Sequence, residues 1–200
     1  MRHAEPRRGN GFHPPLTVSH RALLVDGSDI EFRRLIYRLL QVEERLRHAR
    51  AYLGRQAGLT GPQYSLLMAV AYLQGETGIA VRSLARELRV TSAFITTESR
   101  RLIGRGLVAK RRNPNDSRST LVTVTPAGRR AIARLVPEVR AVNDLFFGHL
   151  SRPAFAQATR FLDQLMDGSR QALAHIAARE AHATTRAAPR RARNGRAQVH

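Results

Sequence analysis

The 200-residue sequence contains no cysteine, which excludes disulfide frameworks, thiolate metal sites and cysteine-based redox sensing. Lysine is almost absent too: Lys110 is the only one, so the positive charge is carried by arginine. Acidic residues are few, 15 against 34 basic ones. Long apolar runs are also lacking. The longest mildly apolar stretch near the N-terminus, Leu16 to Val25, is short and broken by His20 and Arg21, so it reads as neither a signal peptide nor a membrane span. No Ser/His/Asp arrangement, glycine-rich phosphate loop or carboxylate pair marks a catalytic centre, and an enzyme is not expected. His149, His175 and His182 match no compact metal-ligand spacing, so no metal is expected. No cofactor is called for.

What is present is charge. A formal net charge of +19 steers association with a polyanion, nucleic acid or acidic membrane surface, and nucleic acid is the natural reading. An arginine-biased genome is the plain alternative. The expectation is a soluble, cytoplasmic chain with one domain's worth of core.

Punctuation along the sequence divides it. Residues 1–27, with Pro6, Pro14, Pro15 and scattered arginines, read as a flexible basic arm, and Leu16 to Val25 is the part of it able to dock on the folded body. "SDIE", Ser28 to Glu31, is a capping-box sequence that opens a helix. Apolar residues at Leu35, Leu39, Val42, Leu46, Ala49 and Leu53 then form one stripe, closed by Gly58. "TGPQ", Thr60 to Gln63, is a second capping box before an apolar helix ending by Gly75. An extended piece over Gly78 to Val81 and the short helix "RSLAREL" follow. Thr91 caps a helix running to about Arg105, where Gly106 stops it. "LVAKRR" and "STLVTV" flank the turn "NPND" as a β-hairpin. Thr125 and Pro126 open a long helix through Pro137 (a kink is expected there) to about His149, and Ser151 and Pro153 open the last one. In the last helix Phe155, Phe161, Leu162, Leu165, Leu173 and Ile176 are the candidate apolar contacts. Beyond about Ala183 five arginines, no acid and small residues read as a disordered tail.

The fold class is therefore mainly α with a small β-hairpin, a winged helix-turn-helix. On the helix after Thr91, Ile95, Ser99 and Leu102 fall within one arc suited to the core. Ala93, Thr97, Arg100 and Gly104 lie opposite, with Thr96 and Arg101 at the margins and Ser92 at the start. Short side chains let a backbone approach base edges, hydroxyls bond them, and arginines contact guanine or phosphate. The same residues also suit an ordinary solvated face, and it is the neighbouring hairpin that favours DNA. Around that hairpin Lys110, Arg111, Arg112 and Arg118 surround the single acid Asp116. Arg118 suits a minor groove, and Asp116 is expected to pre-orient its guanidinium by a charge-assisted bond, while the other three meet phosphate. A plain surface ion pair is the alternative.

The run from "LTGPQYSLLMAVAYL" to "LVTVTPAGR" resembles the MarR family of bacterial transcription factors, with the wing signature on Asp116 and Arg118, "RLIGRGLV" similar to the family's helix-end motif and "VTVTPAGR" to its wing exit. The similarity covers roughly residues 30–176. It implies residues 28–58 as a dimerisation helix, 59–125 as the DNA-binding lobe, 126–182 as C-terminal dimerisation helices and 183–200 as tail. It also implies a homodimer on a pseudo-palindromic operator in double-stranded DNA, typically a repressor released by a small aromatic or phenolic ligand bound between dimerisation helices and lobe. For that effector the candidates are Arg38, His48, Tyr52 and Tyr64. Arg100 stands where many members have an acid and Thr97 where many have arginine, so base preferences do not carry over. The lack of cysteine removes the peroxide-sensing branch. The rival function is a sequence-tolerant, nucleoid-type DNA binder that uses both basic arms as phosphate clamps.

Overall fold

The protein is described from a computed structural model, which covers residue 12 and residues 14–187. Helix α1 spans Ile30–Gln56, α2 Gly61–Leu73, α3 Val81–Glu87 and α4 Ser92–Gly104. Strand β1 is Ile79–Ala80, β2 Val108–Asn113 and β3 Asp116–Val124; α5 spans Pro126–Phe147 and α6 Arg152–Ala187. The helix expected to fade at about Ala183 thus continues to Ala187, and the rest of the proposed tail, like residues 1–11 of the arm, lies outside the described residues. The chain divides into two compact units after Val142. No described helix is long and apolar enough to cross a membrane.

Local signals set most of the boundaries. Thr60 forms its capping box with Gln63, Thr91 Oγ1 accepts from the Phe94 N–H at 3.1 Å, and Thr125 Oγ1 accepts from the Gly128 N–H at 3.0 Å. Three helices end in one geometry. The N–H of Leu59 bonds Gly54 O after α1, that of Val90 bonds Ala85 O after α3, and that of Leu107 bonds Leu102 O after α4. Each ending places one residue in the left-handed region: Gly58 and Gly106, as expected, and Arg89 at φ 53°.

The N-terminus of α1 departs from expectation. Asp29, not Ser28, is its N-cap, and the Ser28–Glu31 box does not form. The Asp29 carboxylate is taken by the arm: Thr17 donates to it from both its backbone N–H and its hydroxyl at 2.7 Å, and Arg33 pairs with it at 3.0 Å. Glu31 turns to Arg34 instead. The Asp29 carboxylate thereby serves a segment 12 residues away rather than a backbone N–H of its own first turn, because it gains more from two donors and a cation than from one backbone N–H. The arm docks by these polar contacts and by Arg33 donating to Pro15 O at 2.6 Å, while Leu16, Leu23 and Val25 stay exposed.

In the first unit α2 is central, burying Tyr64, Leu66, Leu67 and Val70 against Leu84, Ile95, Leu102 and Val122. Non-directional apolar burial of this kind supplies the main stabilisation. The extended piece before α3 is a third strand: the sheet order is β1-β3-β2, all antiparallel, with Ile79 opposite Val122. Thr125 ties the wing exit to the end of α4, donating to Gly106 O at 2.6 Å while its N–H bonds Leu107 O at 3.1 Å. Gly128 makes this junction possible, since a Cβ there would lie 2.1 Å from Leu107 O. In the second unit α6 leaves Phe155, Leu162, Leu165, Leu173 and Ile176 substantially exposed.

Candidate nucleic-acid interface

Helix α4 buries Ile95, Ser99 and Leu102, all fully, so its opposite face is fixed outward as the sequence arc requires. Ser92, Ala93, Thr97 and Arg100 are exposed and Thr96 is half-buried. Arg101, expected among the DNA contacts, is otherwise engaged: its Nη1 lies 2.6 Å from Oε1 of Glu98, which is 94% buried. The pair gives one oxygen of this buried carboxylate its partner, while Oε2 makes no hydrogen bond among the described residues. The Arg100 guanidinium makes no hydrogen bond or ion pair among the described residues.

On the wing, Val108 ends the buried part of β2 and Lys110, two residues on, shares its side of the strand. Burial holds the Lys110 ammonium below the usual lysine range, and the like charge of Arg100 adds to the effect. Two cations are thus held close at the crease between α4 and the wing, an arrangement that an anion would relieve. Arg111 folds back and donates to Thr77 O at 2.6 Å, while Arg112 is exposed.

The hairpin tip differs from the sequence reading in two respects. Strand β3 starts at Asp116 rather than Ser119, so the turn is only Pro114–Asn115. The register then breaks: Arg112 faces Thr120 while Asn113 faces Asp116, leaving residues 117–119 as a bulge. Arg118 sits in that bulge. The Asp116 carboxylate does accept a bond from Arg118, at 3.0 Å, but from its backbone N–H. The exposed guanidinium makes no hydrogen bond or ion pair among the described residues, so the expected carboxylate–guanidinium orientation is corrected to a backbone one. The tip is closed by Asn113 Nδ2 donating to Ser119 Oγ at 2.9 Å and Ser119 Oγ donating to Asp116 O at 3.1 Å. A short polar network therefore fixes the backbone and leaves the arginine head available.

None of the four effector candidates lines the cleft described below. Arg38 and His48 are exposed on α1. Tyr52 donates from its hydroxyl to Glu138 Oε1 at 2.7 Å, and that bond raises its pKa. Tyr64 is buried in the core, and desolvation raises its pKa. The cleft nearest in character to the expected one, about 440 Å³, is lined instead by Arg47, Arg50 and Ala51 of α1, Pro62 and Ser65 of α2, and Leu88, Val90 and Phe94 at the helix-turn-helix. Glu44 chelates Arg47 at 2.5 and 2.9 Å, whereas Arg50 makes no hydrogen bond or ion pair among the described residues. Helical periodicity alone left Arg47 and Arg50 on the polar side of α1, with no signal that α2 and α4 approach there.

Comparison with known proteins agrees with this geometry. The MarR family model matches residues 57–119. The transcriptional regulator HosA of Escherichia coli O111:H- is 32% identical over 93 residues, 46% of this chain and 67% of that protein. The transcriptional activatory protein BadR of Rhodopseudomonas palustris is 31% identical over 139 residues, covering 69% and 79%. Among solved structures, the PcaV regulator of Streptomyces coelicolor, in complex with its natural ligand, superposes with a TM-score of 0.51 at 27% identity, over 64% of this chain and 91% of that one. On the strength of the winged helix and these relatives, the chain belongs to the MarR family of transcriptional regulators.

Proposed function

We propose that the protein is a sequence-specific DNA-binding repressor acting as a homodimer on a pseudo-palindromic operator and released by a small aromatic or phenolic ligand. The observation that carries the reading is the pairing of two outward surfaces on one rigid core. One is the short-chained face of α4 (Ser92, Ala93, Thr96, Thr97, Arg100). The other is the wing tip, whose backbone is fixed while the Arg118 guanidinium is left unengaged. In this reading α4, with Arg100, enters the major groove, Arg118 the minor groove, and Lys110 meets a phosphate. Arg112 adds a phosphate contact. Arg101 and Arg111, spent on Glu98 and Thr77, contribute field rather than contacts.

Dimer formation is supported by apolar side chains left uncovered on α1 (Ile36, Tyr37, Leu40, Val42) and on α6. For the effector, the cleft at Arg50 and Phe94 offers an unpaired guanidinium for a carboxylate and apolar walls for a ring, and Phe94 lies on α4 itself. A ligand there has direct purchase on the helix that reads DNA. Tyr52, with its hydroxyl already satisfied by Glu138, and buried Tyr64 serve the fold in this reading.

The experiment is selection of a duplex from a random pool, followed by competition against a scrambled duplex at fixed salt. A specific regulator prefers the selected duplex by roughly 10³ or more. A nucleoid-type binder shows little preference and a steep salt slope. A thermal-shift panel of aromatic acids and their thioesters, with hits retested for release from the selected duplex, tests the effector. Hits that strengthen DNA binding would replace release by ligand-driven retention on DNA.

A further inference from the structure

The recognition helix is fastened to α1 by a contact that lies outside the core. Arg105, the C-cap residue of α4, turns its guanidinium toward the C-terminal end of α1, 47 residues earlier in the chain. Nη1 donates to the carbonyl of Gly58, and Nη2 reaches the carbonyl of Ala57 at 3.4 Å. Carbonyls at a helix C-terminus carry partial negative charge and lack partners within the helix, so a planar cation with two forked donors suits them.

Both ends of this link are stiff. Gly58 occupies the left-handed position of the α1 ending at φ 64°, and a Cβ there would lie 3.2 Å from Arg105 Nη2. Glycine thus serves the turn and leaves room for the guanidinium. Arg105 is followed by Gly106 at φ 66°, and the Leu107 N–H closes onto Leu102 O at 3.0 Å, so its own backbone is held by the same kind of ending. The buried contacts of Ile95, Ser99 and Leu102 set how deeply α4 sits in the close-packed core. The fork at the helix end adds a directional link to the end of α1. Among the arginines at the end of α4, Arg100 is unengaged and Arg101 serves Glu98 within the same helix; Arg105 is the one committed to another element.

We infer that Arg105 is a positioning residue for DNA recognition: it fixes the axial register of α4 against α1 and so, in the dimer proposed above, the spacing between the two recognition helices. The inference rests on that dimeric, sequence-reading function, and its test separates the two. Half-sites on a duplex shift by about 3.4 Å and a tenth of a turn per base pair, so a rigid dimer discriminates spacing sharply.

The experiment uses the full chain and the duplex selected by the wild type, together with versions whose half-sites are moved by one base pair and a scrambled duplex. Wild type is expected to lose about tenfold or more on the one-base-pair change, the cost of a misplaced specific contact. Arg105→Gln is expected to flatten this profile to within roughly threefold, while its affinity for scrambled DNA and its salt slope stay as in wild type. Gly58→Asn, which tolerates the left-handed backbone but fills the guanidinium's place, should reproduce the flattening. Arg105→Lys, keeping one donor, should restore part of it. If Arg105→Gln weakens selected and scrambled duplexes alike and lowers the salt slope by about 0.9, Arg105 is a phosphate contact and the inference is wrong. An unchanged spacing profile in both variants also overturns it. A wild type that prefers no sequence at all sinks the DNA-reading function first, and this inference with it.

Discussion

The wing tip allows the role of Asp116 to be tested through one pair of substitutions. If the carboxylate worked by holding the Arg118 guanidinium, removing its charge would matter as much as removing the side chain. In the structure it accepts the Arg118 backbone N–H at 3.0 Å, and a neutral amide oxygen does that nearly as well. Asp116→Asn should therefore bind DNA within about twofold of wild type. Asp116→Ala loses the bond altogether. A net hydrogen bond is worth about 0.5–1.5 kcal/mol, and exposure places this one at the lower end, so the wing backbone should loosen by about 0.5–1 kcal/mol and affinity fall by roughly two- to fivefold. Arg118→Ala sets the floor, at about 1–3 kcal/mol with no change in melting temperature, because the guanidinium contributes no bond to the fold. Fluorescence anisotropy with the selected duplex resolves all three. Equal losses for Asp116→Asn and Asp116→Ala would refute the backbone role and restore the ion pair.

Other substitutions probe the fold beneath the interface. Gly128→Ala should destabilise the protein by about 1–3 kcal/mol in a denaturant melt, since its Cβ would meet Leu107 O at 2.1 Å and the backbone must move; an unchanged midpoint would mean the α5 junction is looser than described. Arg89→Gly should stabilise by about 0.5–1 kcal/mol, because glycine occupies the left-handed C-terminal position of α3 without the Cβ clash that arginine carries; a fall in melting temperature would show that unfolded-chain entropy dominates. Asp29 titrates at about 2, held down first by the Thr17 hydroxyl and then by the Thr17 N–H and Arg33. Its folded value lies below the ordinary carboxylate value of roughly 3.9, so its contribution is present above that pH and is lost as pH falls toward 2. Wild type should thus lose more stability than Asp29→Asn between about pH 4 and 2, and parallel acid melts would contradict the contact.

What the sequence revealed about the fold followed how local each cause was. Thr60, Thr91, Thr125 and Ser151 act within three residues of themselves, and their caps were legible as spelled. Gly58 and Gly106 announced their endings because only a residue without Cβ adopts positive φ freely. The third ending of that kind was hidden by Arg89, which takes the conformation at a cost. Asp29, which takes the N-cap place expected of Ser28, makes no capping bond because Thr17 and Arg33 hold its carboxylate, a contact that no window of four residues contains. At the interface, the exposed and buried sides of α4 were legible from periodicity, but the commitments of Arg101, Arg111 and Arg105 were not. These depend on a buried glutamate, on Thr77 34 residues away, and on the end of α1. The cleft at Arg50 and Phe94 was hidden for the same reason. Arg50 and Phe94 lie on different helices, and only tertiary packing brings them to one cleft.

The most direct measurement of the central claim, that the outer face of α4 reads bases, is the selected-to-scrambled affinity ratio of the double variant Thr97→Ala/Arg100→Ala. Both side chains are exposed, so folding should be untouched. A wild-type ratio of roughly 10³ should collapse to about 10 or less, with only a small loss on scrambled DNA. A ratio that survives the double substitution would contradict it.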